Sequence, residues 1–295
     1  MTGAGGVTVV TIVHGRHDHL RGQRWGLERQ ERLPDEHVVV AMGDPVIGDV
    51  LEGTPGPPVH LVDVPLREGR LPLAAARNAG VAAAAARGAG VVVLLDVDCI
   101  PGPRLVGCYA AALESRRSAT RPAVACGVVR YLDAATTALP DEQRTWRALE
   151  QGSAPHAARP APPPGTVRVG HDPLLFWSLS FAVTPTTWER VGGFDEGYLG
   201  YGGEDTDFGQ RVAAADGTFL WLGGATAYHQ HHGTSGLPVQ HVRDIVENGA
   251  RFAARWGWWP MRGWLDAFED LGLVAADGDG GFVLTRAAHG RVGRR

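Results

Sequence analysis

The stretch VVVLLDVDCIPGP (residues 91–103) decides how this chain is read. It begins as a continuous apolar run, the pattern of a strand buried on both faces of a parallel sheet. It ends in two carboxylates, Asp96 and Asp98, followed by a proline. In open α/β sheets, ligands sit beyond the carboxyl ends of the strands. Two acids one residue apart at such an end reach the same small volume. A hard divalent cation is commonly bound through one or two carboxylates plus substrate phosphates. Asp98 is therefore a metal-ligand candidate, and Asp96 a candidate partner for a sugar hydroxyl or the nucleoside part of the same ligand. On the triplet alone, a charged loop that merely stops the sheet is an equal reading.

Working outward, residues 7–13 (VTVVTIV), 37–42 (HVVVAM) and 59–64 (VHLVDV) read as strands from their β-branched runs. Residues 14–20 read as a loop, and 20–33 as a helix with Leu20, Trp25, Leu27 and Leu33 on its apolar positions. Residues 49–58 are turn-rich, and the Ala-dominated residues 71–90 form a helix that ends at glycine. Strand, helix and strand at this spacing imply right-handed crossovers and a mostly parallel sheet. Further along, RLVGCYAAALESRR reads as a helix and PAVACGVVRYL as a strand. Residues 141–150 read as helical, PLLFWSLSFAVTP as strand-like, and TPTTWERVGGF as a short helix with a Thr or Pro start. DTDFGQRVAAADG is a helix, TFLWLGGATAYHQHH a strand pair or a strand and loop, and residues 239–273 alternate helices with a Trp-rich turn. Residues 152–165, rich in Pro, Ala and Gly, read as a mobile surface loop. With the glycine-spaced residues 197–203, they are expected to order when a ligand binds.

Composition narrows the function. The 295 residues suffice for one large domain or two small ones, and 44% hydrophobic content is ordinary for a packed core. A net charge of -4 gives no support for nucleic-acid binding. All 28 basic residues are Arg, which excludes Schiff-base chemistry and Lys general bases. Three Cys, at 99, 108 and 126, make neither a metal cluster nor a disulfide framework. The start of the chain does not read as a signal peptide, and no apolar run reaches the roughly 20 residues that span a bilayer. A cytoplasmic location is expected.

Two further clusters shift the balance toward a site. YLGYGGEDTDFGQR sets Glu204, Asp205 and Asp207 behind Gly202 and Gly203. One of these acids can be a helix cap. Three acids behind two glycines, with aromatics on the approach, go beyond capping, and a carboxylate there can take a proton from an acceptor hydroxyl. AYHQHHG supplies His229, His231 and His232 after an apolar strand. A neutral imidazole suits Mn2+, and alternation puts His229 and His231 on one face. A solvated His run is the plain alternative.

In this order, VTIVHGRHDHL, AAARNAG, LLDVDCIPGP, VGGFDEGYLGYGGEDTDFGQR and AYHQ give the chain a resemblance to GT-A-fold glycosyltransferases of the family 2 type. The C-terminal half resembles the galactosyltransferase-like segment of the β-1,4-galactosyltransferases and the bacterial chondroitin polymerase. The resemblance covers roughly residues 7–233, with a poor match over 131–170. It implies an α/β fold: a Rossmann-like, mostly parallel central sheet flanked by helices, with a helical C-terminal extension. It also implies roles for matched residues. Thr11, Val13 and Gly15 would lie in the first strand and loop at the nucleotide base, with Asp44 nearby. Arg77 and Asn78 would lie beside the donor diphosphate and sugar, Asp96 at the donor sugar or ribose, and Asp98 on the metal. Gly203 and Glu204 would bind donor sugar and acceptor, Asp205 would be the catalytic base with Glu204 its rival, and His229 would be the second metal ligand. Two departures stand out: Thr226 occupies the place of a metal-binding Met, and Tyr201 stands where a Trp walls the acceptor.

The expected function is an inverting, Mn2+- or Mg2+-dependent transfer of a hexose or N-acetylhexosamine from a UDP-sugar to a carbohydrate or small-molecule hydroxyl. The alternatives are a nucleotidyltransferase, for which HGRHDH is a poor phosphate loop, and a non-catalytic carbohydrate-binding protein of the same fold. The expected organisation is a catalytic domain at 1–235, with a nucleotide-sugar half at 1–130 and an acceptor half at 171–235, and an extension at 236–295 packed on it. WGWWPMRGW holds four of the nine Trp residues. Core packing suits their large apolar area, with sugar stacking or a partner surface as alternatives.

Overall fold

The structure, a computed structural model, describes residues 5–116, 119–233 and 236–288. β1 (Gly6–Val13) is a β-branched strand with every residue after the first buried. It leads through α1 (His17–Glu28), β2 (Glu36–Met42), α2 (Ile47–Glu52), β3 (Val59–Val64) and α3 (Leu73–Ala86) to β4 (Ala89–Leu95). β5 (Cys99–Pro101), α4 (Leu105–Glu114), β6 (Ala123–Leu132), α5 (Ala134–Thr137), α6 (Trp146–Gln151), β7 (Ser153–Pro155) and β8 (Val167–Gly170) follow. Then come β9 (Ser180–Val183), α7 (Pro185–Val191), α8 (Glu204–Ala214), β10 (Thr218–His229), α9 (Val242–Trp256) and α10 (Arg262–Asp270). A hairpin of β11 (Val274–Ala276) and β12 (Phe282–Leu284) closes the described chain.

The main sheet has the order β3-β2-β1-β4-β9-β6-β10-β5, with β7 paired to β6 and β8 to β10. β1, β2, β3 and β4 run parallel, as do β6 and β10, while β9 joins the two blocks antiparallel to both neighbours. Apolar clusters cover both faces. α3, α7 and α8 pack on one, around Val40, Leu94, Phe181 and Phe208. α4 packs on the other, around Val9, Val93, Tyr109 and Leu220. Each fully buried aliphatic side chain there contributes about 1.5–3 kcal/mol relative to exposure. β4 ends at Leu95, so Asp96 and Asp98 leave the sheet at its carboxyl edge. The mixed α/β architecture with a mostly parallel sheet matches the sequence reading.

Several local readings need correction. α1 starts at His17 and stops at Glu28, so it takes residues read as loop and leaves Leu33 exposed. The turn-rich segment begins with the last residues of α2, whose Ile47, Val50 and Leu51 bury against α1. Only Ser180–Val183 of the strand-like run PLLFWSLSFAVTP is strand. Residues 152–165 contain β7 and a buried arginine, Arg159. Residues 197–203 are tied down by Leu71, Asp244 and Asn248, which hydrogen-bond the backbone of Gly200, Tyr201 and Leu199 respectively. The C-terminal region holds a hairpin as well as helices, around a small core of Ile245, Leu265, Phe268 and Phe282. Its tryptophans mostly pack: Trp259 against Phe282, Trp258 edge-on to Phe252, and Trp256 with its indole N–H donated to Asp207.

Candidate active site

Two clusters of chemistry-bearing side chains face each other across the carboxyl edge of the sheet. The first is built on the turn after β4 and the end of β10. His229 Nε2 and His232 Nε2 approach the same carboxylate oxygen, Asp98 Oδ2, at 3.4 and 3.2 Å. The ligand atoms of the three residues all lie within 4.8 Å of one another. β10 runs antiparallel to β5 with His229 opposite Cys99, and this register delivers the imidazole to Asp98. The alternation reading fails one residue later, because β10 ends at His229. Gln230 is buried, donating its N–H to the Asp98 carbonyl and its side-chain amide to the His19 carbonyl. The chain turns there. His231 N–H binds Thr137, and His232 comes back to Asp98. Alternation put His231 on the same face as His229 and left open whether His231 or His232 joins the metal site; the position of the turn brings His232 to Asp98.

Burial alone would push the Asp98 carboxyl up. The hydrogen bond from His232 and the nearby charges of His229, His232 and Arg16 outweigh it, and the carboxyl stays below its ordinary range. Burial lowers the His229 imidazole and so favours its neutral form, which can donate a lone pair. One carboxylate and two imidazoles form a donor set that could hold a divalent metal ion and leave positions open to other ligands. Thr226, where the resemblance has a metal-binding Met, sits inside the β10–β6 ladder, while His232 lies with Asp98 and His229 in the group that could hold a metal. Arg16 is a further residue the sequence reading did not single out. It adopts a left-handed backbone (φ 53°) at the start of α1, and its charge acts on both Asp98 and His229.

The second cluster is built on α3 and the first turn of α8. Gly202 and Gly203 have φ of 94° and 91°, which L side chains rarely adopt. This backbone starts α8 abruptly, so Glu204 and Asp205 stand at its first turn. Arg77, 5% exposed, bridges Glu204 Oε1 at 3.2 Å and Asp96 Oδ1 at 3.1 Å. Burial and the adjacent Asp205 push the Glu204 carboxyl up to about 7, against the pull of Arg77. Burial also raises Asp205, opposed by hydrogen bonds from Thr206. Those bonds fall on Asp205 Oδ1 alone. Asp207 lies elsewhere: it is fully buried and holds Arg255 and Trp256 of α9. A helix-start charge interaction is not its main role.

The nucleotide-base candidates divide. Thr11 is fully buried, and its hydroxyl bonds Gln23 and His37, so it is unavailable to a ligand. Val13 is 1% exposed and packs with Leu20 and Ile47. Both were assigned to the base, and both are core. Gly15 and Asp44 remain at the edge, where Gly15 N–H and the His17 ring meet Asp44 Oδ2 at 2.7 and 3.0 Å. Asn78 is likewise reassigned. Its amide donates to the Phe194 carbonyl and accepts the Phe194 N–H, each at 2.9 Å, so it anchors the loop before α8.

Comparison with known proteins bears on the fold and on one segment of the chain. A family model described as the N-terminal domain of galactosyltransferase matches residues 175–233, the segment carrying Glu204, Asp205, His229 and His232. The validoxylamine A glucosyltransferase of Streptomyces hygroscopicus subsp. jinggangensis (strain 5008) is 46% identical over 41 residues, 14% of this chain. That match spans 10% of the relative's length. Among solved structures, GalNAc-T7 with UDP, GalNAc and Mn2+ superposes with a TM-score of 0.57 at 15% identity, covering 89% of this chain and 50% of that one. Mannosyltransferase PcManGT from Pyrobaculum calidifontis, in complex with GDP-Man and Mn2+, gives 0.53 at 19% identity, covering 92% and 71%. S. aureus TarS 1-349 gives 0.54 at 12%, covering 84% and 64%. The chain thus has the GT-A glycosyltransferase fold, and within it a segment that matches the N-terminal domain of galactosyltransferase.

Proposed function

We propose that this chain transfers a hexose or N-acetylhexosamine from a nucleoside-diphosphate donor, UDP-linked on the sequence reading, to an acceptor hydroxyl with inversion at the anomeric carbon. The observation that carries this reading is the convergence of Asp98, His229 and His232 at the same sheet edge as the Arg77–Glu204–Asp205 cluster. The first would hold Mn2+ or Mg2+, which when bound supplies positive charge at the leaving diphosphate. Asp44 and the Gly15 backbone would meet the base, and Asp96, oriented by Arg77, the donor sugar or ribose.

Asp205 Oδ2 would accept the acceptor proton as the acceptor oxygen bonds to the anomeric carbon. The bond from that carbon to the diphosphate oxygen breaks in the same displacement, and the nucleoside diphosphate leaves with its electron pair. Glu204, held on Arg77, would position the donor sugar, while burial keeps the Asp205 carboxyl raised. Gly203 allows the backbone to pass close to the sugar. Tyr201, stacked on His241 at 4.8 Å, would wall the acceptor. We also assign residues 1–235 to the catalytic domain and 236–295 to the extension; the boundary at 235 lies outside the described residues.

Among the described residues, no helix is long and apolar enough to cross a membrane. The three cysteines are free, which favours a reducing compartment such as the cytoplasm. The test is a panel of UDP- and GDP-sugars incubated with and without Mn2+ and with simple glycoside acceptors. The reading expects metal-dependent release of nucleoside diphosphate from one donor class and a glycosylated acceptor. Pyrophosphate release from a nucleoside triphosphate and a sugar 1-phosphate, supplied in a parallel assay, would indicate a nucleotidyltransferase, and ligand binding without turnover a carbohydrate-binding protein.

A further inference from the structure

Arg159 is 8% exposed, and among the described residues none of its three guanidinium nitrogens has a hydrogen-bond partner. Among the described residues, no carboxylate lies within ion-pair distance of it. A buried cation is costly unless it is paired and hydrogen-bonded, so this arrangement needs a reason. The guanidinium carbon lies 5.2 Å from the ring centroids of both Trp177 and Trp221. Trp221 belongs to the core at 2% exposure, while Trp177 is partly exposed, so the two rings form an inner and an outer side. The rings interact with the charge but leave the N–H donors unused.

The placement is built, not accidental. Arg159 N–H bonds the His156 carbonyl, closing a turn, and residues 165 and 166 pair with Gly223 at the bulge in β10. A Cβ on Gly223 would lie 1.8 Å from the Pro163 carbonyl oxygen, so the loop seats only on a glycine. From this turn a run of rings leads to the metal cluster. Trp177 meets His156 edge-on at 4.7 Å, His156 lies 5.9 Å from Tyr131, and Tyr131 lies 4.8 Å from His229. Aromatic walls with a few placed polar groups are how small-molecule sites are lined.

We propose that Arg159 is the anion-recognising residue of the acceptor subsite, and that the acceptor carries a carboxylate or phosphate group. The word acceptor rests on the transferase reading; the anion site rests on Arg159. The planar fork of a guanidinium matches either group bidentately. Trp177 and His156 face the ring of the acceptor, and the anion displaces Trp177 far enough to reach the fork.

The test is ligand-observed NMR titration of the UDP–Mn2+-loaded protein with glucose, glucuronate and glucose 6-phosphate. Wild type should bind at least one of the two acids about tenfold or more tightly than glucose, and the better acid identifies the source of the charge. Arg159→Met loses no hydrogen bond seen in the structure and should fold; it should abolish the preference while UDP–Mn2+ binding stays unchanged. Arg159→Lys, charged but without the fork, should keep part of it. Equal binding of all three sugars by wild type, or a preference that survives in Arg159→Met, would overturn the proposal. So would weakened UDP binding by Arg159→Met, which would place the anion on the donor. Failure of wild type to bind UDP with Mn2+ would instead defeat the transferase reading on which the acceptor assignment depends.

Discussion

Asp98 and Glu204 stand at the same edge of one sheet, yet their surroundings hold them in opposite states. Asp98 faces two imidazoles and Arg16, and its carboxyl is kept below the ordinary range although burial opposes this. Glu204 is also buried and has Arg77 at 3.2 Å, but burial and then the carboxylate beside it outweigh Arg77, and its carboxyl rises to about 7. The difference is the count of like charges. Three acids, Asp96, Glu204 and Asp205, share the field of a single buried cation. One cluster is therefore set to hold a cation and the other to hold a proton, a separation of environments that assigns acid–base roles.

The largest effect should come from removing the cation site. Asp98→Ala should leave turnover below about a thousandth of wild type, since a metal at a leaving phosphate supplies several kcal/mol. Steady-state rates with saturating Mn2+ check this, and full wild-type activity in excess EDTA would break the comparison. Asp205→Asn comes next. A lost general base costs about a hundredfold or more in kcat, with donor and metal binding close to wild type because the defect lies in the transition state. If Glu204→Gln shows that pattern and Asp205→Asn does not, the base is one residue earlier.

The proton-holding state gives a pH signature. Burial raises the Asp205 carboxyl, and a base works only when deprotonated, so kcat/KM should climb with pH through a value above the ordinary aspartate range and then level off. The groups facing Glu204 are Arg77, Asp96 and Asp205, and the rise belongs to the set rather than to one residue. In Glu204→Gln burial still raises Asp205, so the rise should persist; its loss would assign the base to Glu204. The smallest expected effect lies outside both clusters. Asp207→Asn strips the charge from a buried acid that clamps α9, and should cost about 2–3 kcal/mol of stability, read by chemical denaturation. Donor affinity should be unchanged.

The sheet was legible because apolar runs and their acidic ends are local signals. VVVLLDVD read as a buried strand over 91–97 with its acids at the end, although β4 stops earlier, at Leu95, and GGED read as a helix entered through two glycines. The cluster around Arg77 was half legible: its members were named, but a bridge between α3 and α8 across 127 residues is set by packing. Thr11 and Val13 were misread because the resemblance marks the strand without telling which side chains face inward. Asn78 was misplaced for a similar reason, since its partner is the backbone of Phe194. His232 was hidden by the point at which β10 stops, which alternation cannot supply. Arg159 lay in a Pro- and Ala-rich run whose composition reads as surface loop, and only the tryptophans above and below it show that it is buried.

The central claim is that Asp98, His229 and His232 together hold a divalent cation for a nucleoside diphosphate. Calorimetric titration of Mn2+ into the UDP-loaded protein tests it directly, comparing wild type with His229→Ala, His232→Ala and His231→Ala. The account predicts saturable binding that weakens about tenfold or more in the first two variants, at least what removal of an outer-shell partner costs, and is unchanged in His231→Ala. Wild-type affinity in both His229→Ala and His232→Ala, or a loss confined to His231→Ala, would contradict it.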